Sequence, residues 1–254
     1  MSKTIKGLIF PVAVVVLWEL LTRVGYFTST SLSHPSAILL AGWELARNGE
    51  LYNSTRETFG AAVGGMAIGV ALGLVVGIAF GLSRLLSDLM RMSTEVLRPI
   101  PSVALIPLAL LIYGYGYRME ILVVAFACFW PVMIVTEAAV RGVEPRLLEV
   151  ARVLKFPILA RVTKIILPAA LPRVFVGLRL AAAISLVVAV TVEITTNPIG
   201  LGYGLVVAQE SDRADRVFAY LIWIGFLGWL LNVVLLRAQQ RWFGKYGNWM
   251  ETAR

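Results

Sequence analysis

The chain alternates long apolar runs with short polar connections, and six of the runs read as membrane-crossing helices: about 7–24, 59–82, 100–113, 121–138, 174–195 and 217–236. A helix needs about 20 mostly apolar residues to cross roughly 30 Å of hydrocarbon. The first run follows Lys3 and Lys6, as a signal peptide would. No small-residue cleavage site follows it, however, and Glu19 interrupts it, so a retained helix is expected. The third run is the shortest and is broken by Pro99, Pro101 and Pro107. Proline removes a rung of the helical ladder, and irregular backbone at membrane depth survives only where protein or a cavity covers it. That run is therefore either a functional feature or a kinked packing helix. The last run carries no charge at all.

Two of the polar connections are patterned. In the loop 25–58, Pro35 opens a helical stretch with Ile38, Leu39, Gly42, Trp43 and Ala46 on one face and Glu44, Arg47 and Glu50 off it. This predicts a short amphipathic helix, lying on the outer membrane surface or serving only as a connector. In the segment 139–173, Leu147, Ala151 and Leu154 share one helical face, while Ile158, Val162, Ile165 and Ile166 form a second. Pro157 separates the two, and Pro168 and Pro172 close the second, so two short amphipathic helices are expected. Their apolar faces need a cover, which lipid, their own bundle or another protein can provide.

The second run carries Gly65, Gly69, Gly73, Gly77 and Gly81, an unbroken four-residue repeat preceded by Gly60 and Gly64. Small residues at this spacing let a second backbone approach closely, so that van der Waals contact drives association in lipid. The spacing leaves open whether the neighbour belongs to this chain or to a second copy. No longer internal repeat and no low-complexity tract is visible.

Composition fits this pattern. The 254 residues are 59% hydrophobic and 15% charged, against about 25% charge in soluble domains, and the mean hydropathy is +0.81. One cysteine (Cys128) excludes a disulfide-stapled scaffold, and with a single histidine (His34) it makes a metal site unexpected. The net charge of +8 needs no nucleic-acid partner, because topology accounts for it. With the N-terminus inside, Lys and Arg divide 17 to 6 between inner and outer segments, as the positive-inside rule requires, so both termini are expected in the cytoplasm. The fold class is then an all-α polytopic membrane protein, read as one transmembrane domain over 1–254.

Few residues carry candidate chemistry. Counting from Arg179 at the inner interface, Glu193 lies roughly 21 Å further along its helix, in the outer half of the bilayer. Ionisable groups at that depth are costly and usually face a cavity. Thr191, Thr195 and Asn197 lie nearby, and Ser102 opens the broken third run. These five are candidate pathway or gate residues; an interfacial or internally hydrogen-bonded role fits Glu193 equally well. Glu19 with Arg23 suits an intrahelical pair. Cys128 reads as a packing residue, and Trp18, Trp130, Tyr220 and Trp242 as interfacial anchors or packing. No nucleophile–base set is present, so no catalytic residue is expected.

The loop 139–173 resembles the EAA loop of ABC-importer permeases, patterned E-A-A-x3-G-x9-I-x-L-P, with Glu149, Ala151, Ile165, Leu167 and Pro168 at the matching spacings. Leu97-Arg98-Pro99-Ile100-Pro101, Val143-Glu144-Pro145-Arg146-Leu147-Leu148, Ala169-Ala170-Leu171-Pro172, Gly177-Leu178-Arg179 and Gly200-Leu201-Gly202-Tyr203 resemble the nitrate/sulfonate/taurine branch. The likeness extends from about Pro35 to Arg241. Val150 replaces the middle alanine, and Lys155 replaces the motif glycine, so the turn before Pro157 is expected to differ from the family's.

The resemblance implies a six-helix type I importer permease in the bacterial inner membrane, paired with a second copy. It implies two cytoplasmic ATPase subunits that bind ATP and magnesium, and a binding protein outside. Leu147, Glu149, Ala151, Leu154, Lys155, Ile165, Leu167 and Pro168 would then couple ATPase closure to alternating access. The chain itself has no G-x4-G-K-[ST] segment, so the ATPase would be a separate chain and this one would bind no cofactor. The alternative weighed is an ion-coupled secondary transporter, which calls for more embedded ionisable residues and repeated halves. A membrane-embedded enzyme would need a clustered catalytic set.

Overall fold

The computed structural model describes residues 3–24 and 32–251, and side chains within these except those of 3–9, Arg152 and 242–251. The predicted anchor Trp242 and the inner basic residues Lys3, Lys6, Arg152, Lys245 and Arg254 thus lie outside the described side chains. The chain forms α1 (Lys3–Arg23), α2 (Pro35–Arg47), α3 (Glu50–Leu82) and α4 (Arg84–Leu97), then a 3-10 turn (Ser102–Leu105) leading into α5 (Ile106–Tyr113). It continues as α6 (Tyr117–Arg141), α7 (Pro145–Val153), α8 (Ile158–Arg161), a π turn (Val162–Ile166), α9 (Leu167–Thr195), α10 (Gly200–Glu210) and α11 (Ala214–Glu251).

Among the described residues, four continuous helical stretches are long and apolar enough to cross a membrane: Glu50–Leu82, Tyr117–Arg141, Ile158–Thr195 and Ala214–Arg241. Arg84–Leu97 with Ser102–Tyr113 makes a fifth candidate, bent by 82°. The predicted third run is therefore the outgoing arm of an elbow. Its corner falls at Pro99 and Pro101, which lack the amides that would continue the ladder of α4, although Arg98 itself keeps helical angles (φ −59°, ψ −42°).

Helices α3 and α6 run parallel in a fixed register. Gly65 meets Val124, Gly69 meets Cys128, Gly73 meets Val132, Gly77 meets Thr136 and Gly81 meets Val140. A Cβ at Gly77 would sit 2.6 Å from the Met133 carbonyl oxygen, so a side chain there would drive the helices apart. The neighbour left open by the glycine spacing is thus α6 of the same chain. Because α3 and α6 point the same way, the elbow must carry the chain back between them.

Helix α9 lies antiparallel to α6. Cys128 Sγ contacts the Ala181 carbonyl oxygen at 3.3 Å, and the Gly116 amide donates to Asn197 at 2.8 Å. Met119, Val123, Val124, Val132, Ala189 and Val192 fill the space between these helices. At one end α2, α10 and α11 share a second core around Leu45, Leu201 and Tyr220. At the other, α7 and the π turn close over Ala139, Val140 and Val143.

Helix α2 buries Ile38, Ala41 and Leu45 and leaves Leu39, Leu40 and Trp43 exposed. Its buried stripe is therefore rotated from the predicted face, since α2 has apolar residues on two sides and packs one of them on α11. Its start is held from outside, because His34 supplies no side-chain cap. Glu19 of α1 does so, accepting from the Ser36 amide at 3.0 Å and the Ser36 hydroxyl at 2.8 Å while pairing with Arg23 at 2.5 Å. A carboxylate at a helix N-terminus satisfies an orphan donor and opposes the helix dipole.

Candidate functional site

At the α7/α8 end the loop presents an apolar surface. Val150, Val153, Leu154, Ile158 and Leu159 are more than half exposed, and Leu147 is 41% exposed. Glu149 points outward and forms no ion pair among the described residues. Ala151 departs from the predicted face: it is fully buried against this chain and cannot offer a close approach to a partner. Leu148 turns inward with it, onto Val140 and Ile166. Past Pro157 the predicted single face also splits. Ile158 is 77% exposed while Ile166 is 5% exposed. The wider π turn over Val162–Ile166 inserts an extra residue into the helix and resets its register. Ile165 and Leu167 are half-buried, and Pro168 is exposed.

Lys155 corrects the expected turn. Its φ is +51°, in the left-handed region. The Phe156 amide donates to the Ala151 carbonyl at 3.0 Å, and the Leu154 amide to Val150 at 2.9 Å. This is a Schellman-type helix end with Lys155 at the position that usually takes glycine. The backbone turns as a glycine would allow, at the cost of a crowded Cβ.

At the α2/α10 end the embedded acids form a closed polar knot. Glu193 is 2% exposed, and its Oε2 accepts from the Gly202 amide at 2.8 Å. Glu120 and Asn197 are fully buried; Asn197 donates to Glu120 at 2.8 Å and accepts from the Gly116 amide at 2.8 Å. Glu57 and Thr58 of α3 accept from the Gly200 and Leu201 amides, both at 2.9 Å. The first three amides of α10 thus meet three side-chain acceptors from α3 and α9, so the knot ties four helices together. Any Cβ at Gly200 would collide with the Glu193 carboxylate, and φ there is +86°. Thr191 and Thr195 bond back to their own helix through the Val187 and Thr191 carbonyls. Sequence reasoning missed Glu120, because one acid at the head of an apolar run reads as interfacial.

Neither Glu193 nor Asn197 lines the cavities beside the knot and at the elbow. One of about 340 Å³ opens between α3, α10 and α11, beside Glu50, Glu57 and Arg216. The other two adjoin at the elbow. The first, about 400 Å³, is lined by Glu95, Arg98, Met133 and Glu137. The second, about 290 Å³, is lined by Arg98, Ser102, Phe126, Trp130, Ile184 and Val188 among others. Of the five pathway candidates, Ser102 lines the smaller elbow cavity.

The geometry is that of a helical membrane bundle with an elbowed span and an exposed two-helix loop, and comparison with known proteins gives the family. The family model for the binding-protein-dependent transport system inner membrane component matches residues 69–244. The aliphatic sulfonates transport permease protein SsuC of Bacillus subtilis (strain 168) is 34% identical over 95% of this chain and 88% of its own length. The nitrate import permease protein NrtB of Leptolyngbya laminosa is 32% identical over 56% of this chain and 50% of its own length. Among solved structures, the MetNI methionine ABC transporter in an inward facing form is similar at a TM-score of 0.59 and 19% identity, covering 78% of this chain and 96% of that one; this likeness shows the fold. The chain belongs to the binding-protein-dependent inner membrane components: it is an ABC-importer permease, a multi-pass transport subunit and not an enzyme. The ion-coupled alternative is thereby set aside.

Proposed function

We propose that this permease moves a small oxyanion across the inner membrane, driven by a separate ATPase that docks on the α7/α8 loop. The observation that supports the docking is the surface of Val150, Val153, Leu154, Ile158 and Leu159, which the other described residues leave exposed. Glu149 and Leu147 sit on the same loop, and Lys155 sets its turn. The oxyanion follows from the relatives' names: aliphatic sulfonates, nitrate and, for the CmpB permease of Synechococcus elongatus, bicarbonate. These solutes share a compact, delocalised negative charge. In this reading α1 supplies the sixth span, both termini are cytoplasmic, and two copies frame the pathway. ATP and magnesium bind the ATPase pair, and a binding protein delivers solute at the α2/α10 end.

The test is reconstitution. The permease, purified with its ATPase and binding protein, is placed in proteoliposomes with radiolabelled butanesulfonate, nitrate and bicarbonate as probes. Accumulation of at least one, dependent on ATP at the ATPase face, is expected. Val153→Asp and Leu154→Asp should release the ATPase on gel filtration. A complex that hydrolyses ATP yet moves none of the three anions would overturn the substrate reading.

A further inference from the structure

Of the two elbow cavities, the larger is lined by Glu95 and Glu137 as well as Arg98, and the smaller by Arg98, Ser102 and Trp130 with no carboxylate. Arg98 lines both and forms no ion pair among the described residues. The acids beside it are already engaged. Glu95 pairs with Arg91 at 3.4 Å, while Glu137 pairs with Arg141 at 3.0 Å and accepts from the Ser87 hydroxyl at 2.8 Å. The smaller cavity contains no acidic residue in its wall. Besides Arg98 it has the Ser102 hydroxyl and Trp130, which is 9% exposed and whose Nε1 has no acceptor within the protein. A buried donor without a partner is costly, and the Trp130 indole is one; Arg98, itself exposed, stands beside it at the mouth of both cavities. The cost at Trp130 falls if an anion occupies the space.

The placement suits transport. Phe126, Trp130 and Ile134 lie midway along α6, and Ile184 and Val188 lie in the outer half of α9. The corner of the elbow lies beside them, where broken helices at membrane depth commonly handle solute. Arg98 presents planar donors suited to a bidentate oxyanion, while Phe126, Ile184 and Val188 form an apolar wall. A space of about 290 Å³ holds one small solute.

We propose that the elbow cavity is a transit site for a small oxyanion bearing a short apolar tail. Arg98, Ser102 and the Trp130 indole would hold the head group, and the α6 and α9 side chains would hold the tail. This rests on the oxyanion-importer reading above. It adds which residues receive the solute inside the membrane, and predicts that alkylsulfonates are held better than nitrate.

The complete transporter in proteoliposomes is again the test, with butanesulfonate and nitrate as probes below saturation. Arg98→Gln should lower butanesulfonate uptake at least tenfold, and Arg98→Lys should recover part of it. Trp130→Phe keeps an aromatic ring in place and removes the N–H; a three- to tenfold fall is expected. Arg91→Gln, on the same helix outside the cavity, should stay within twofold of wild type. Retention of the ATPase on gel filtration is checked for each, and Trp130→Phe decides the matter should Arg98→Gln fail to assemble. Wild-type uptake in both Arg98→Gln and Trp130→Phe overturns the site while leaving the importer intact. A wild-type complex that moves neither probe overturns the oxyanion reading and the site together.

Discussion

At residue scale, Lys155 occupies backbone space that glycine holds in the EAA pattern. A left-handed conformation costs a side-chain-bearing residue about 1–2 kcal/mol, so Lys155→Gly should tighten the end of α7. Amide exchange of α7 is expected to slow by about fivefold, whereas Lys155→Val, whose branched Cβ crowds this region more, should hasten it. The knot gives a second prediction. Glu193→Ala leaves the Gly202 amide without a partner, which costs about 1–3 kcal/mol, and should lower the thermal midpoint in detergent. Glu193→Gln keeps an acceptor and should remain close to wild type in both midpoint and uptake; loss of uptake with an unchanged midpoint would instead restore a gating role. Depth along the helix, counted from Arg179, was enough to mark Glu193 as embedded. It could not reveal the partners, because Glu120 and Gly202 are brought to it by other helices.

At element scale, the four-residue glycine repeat was legible because close approach demands it. Its target was not, since spacing on one helix carries no information about which helix comes near. The contact is directional. Gly77→Leu should force α3 off the Met133 carbonyl and the Thr136 side chain, an overpacking penalty of at least about 1–3 kcal/mol, and should broaden the protein's gel-filtration peak. Gly225 of α11 has nothing within 4 Å of where its Cβ would stand, so Gly225→Leu should elute as wild type does. The π turn and the rotated face of α2 were invisible to periodicity, which assumes one register per helix and one buried side. Both were decided by packing against neighbours.

At the scale of the whole molecule, the amide and side-chain contacts set α2 and α10 at one end and α7 and α8 at the other. The proposed orientation predicts that Glu44→Cys is labelled by a membrane-impermeant maleimide in cells with a permeabilised outer envelope, and that Glu144→Cys is labelled only after the inner membrane is opened. Both parent side chains are exposed. Cys128 is fully buried, so the native thiol should stay unlabelled and no cysteine-free background is needed. The charge split of 17 to 6 made this orientation readable at the outset, since it is a sum over many loops and tolerates an error in any one span. The elbow was readable only as an interrupted run. Its 82° corner depends on how α4 and α5 pack, which no local pattern encodes.

The unchanging register between α3 and α6 limits how the molecule can move. Five successive interlocked turns oppose sliding of one of these helices along the other, so during a transport stroke the two are expected to travel together as one lever. Bending is then expected at the interruptions of the helices, foremost the proline corner after Leu97 and the widened turn before Leu167, with Pro131 within α6 a further weak point. These two joints lie on either side of the lever, and immobilising either by cross-linking should stall the stroke while solute can still bind.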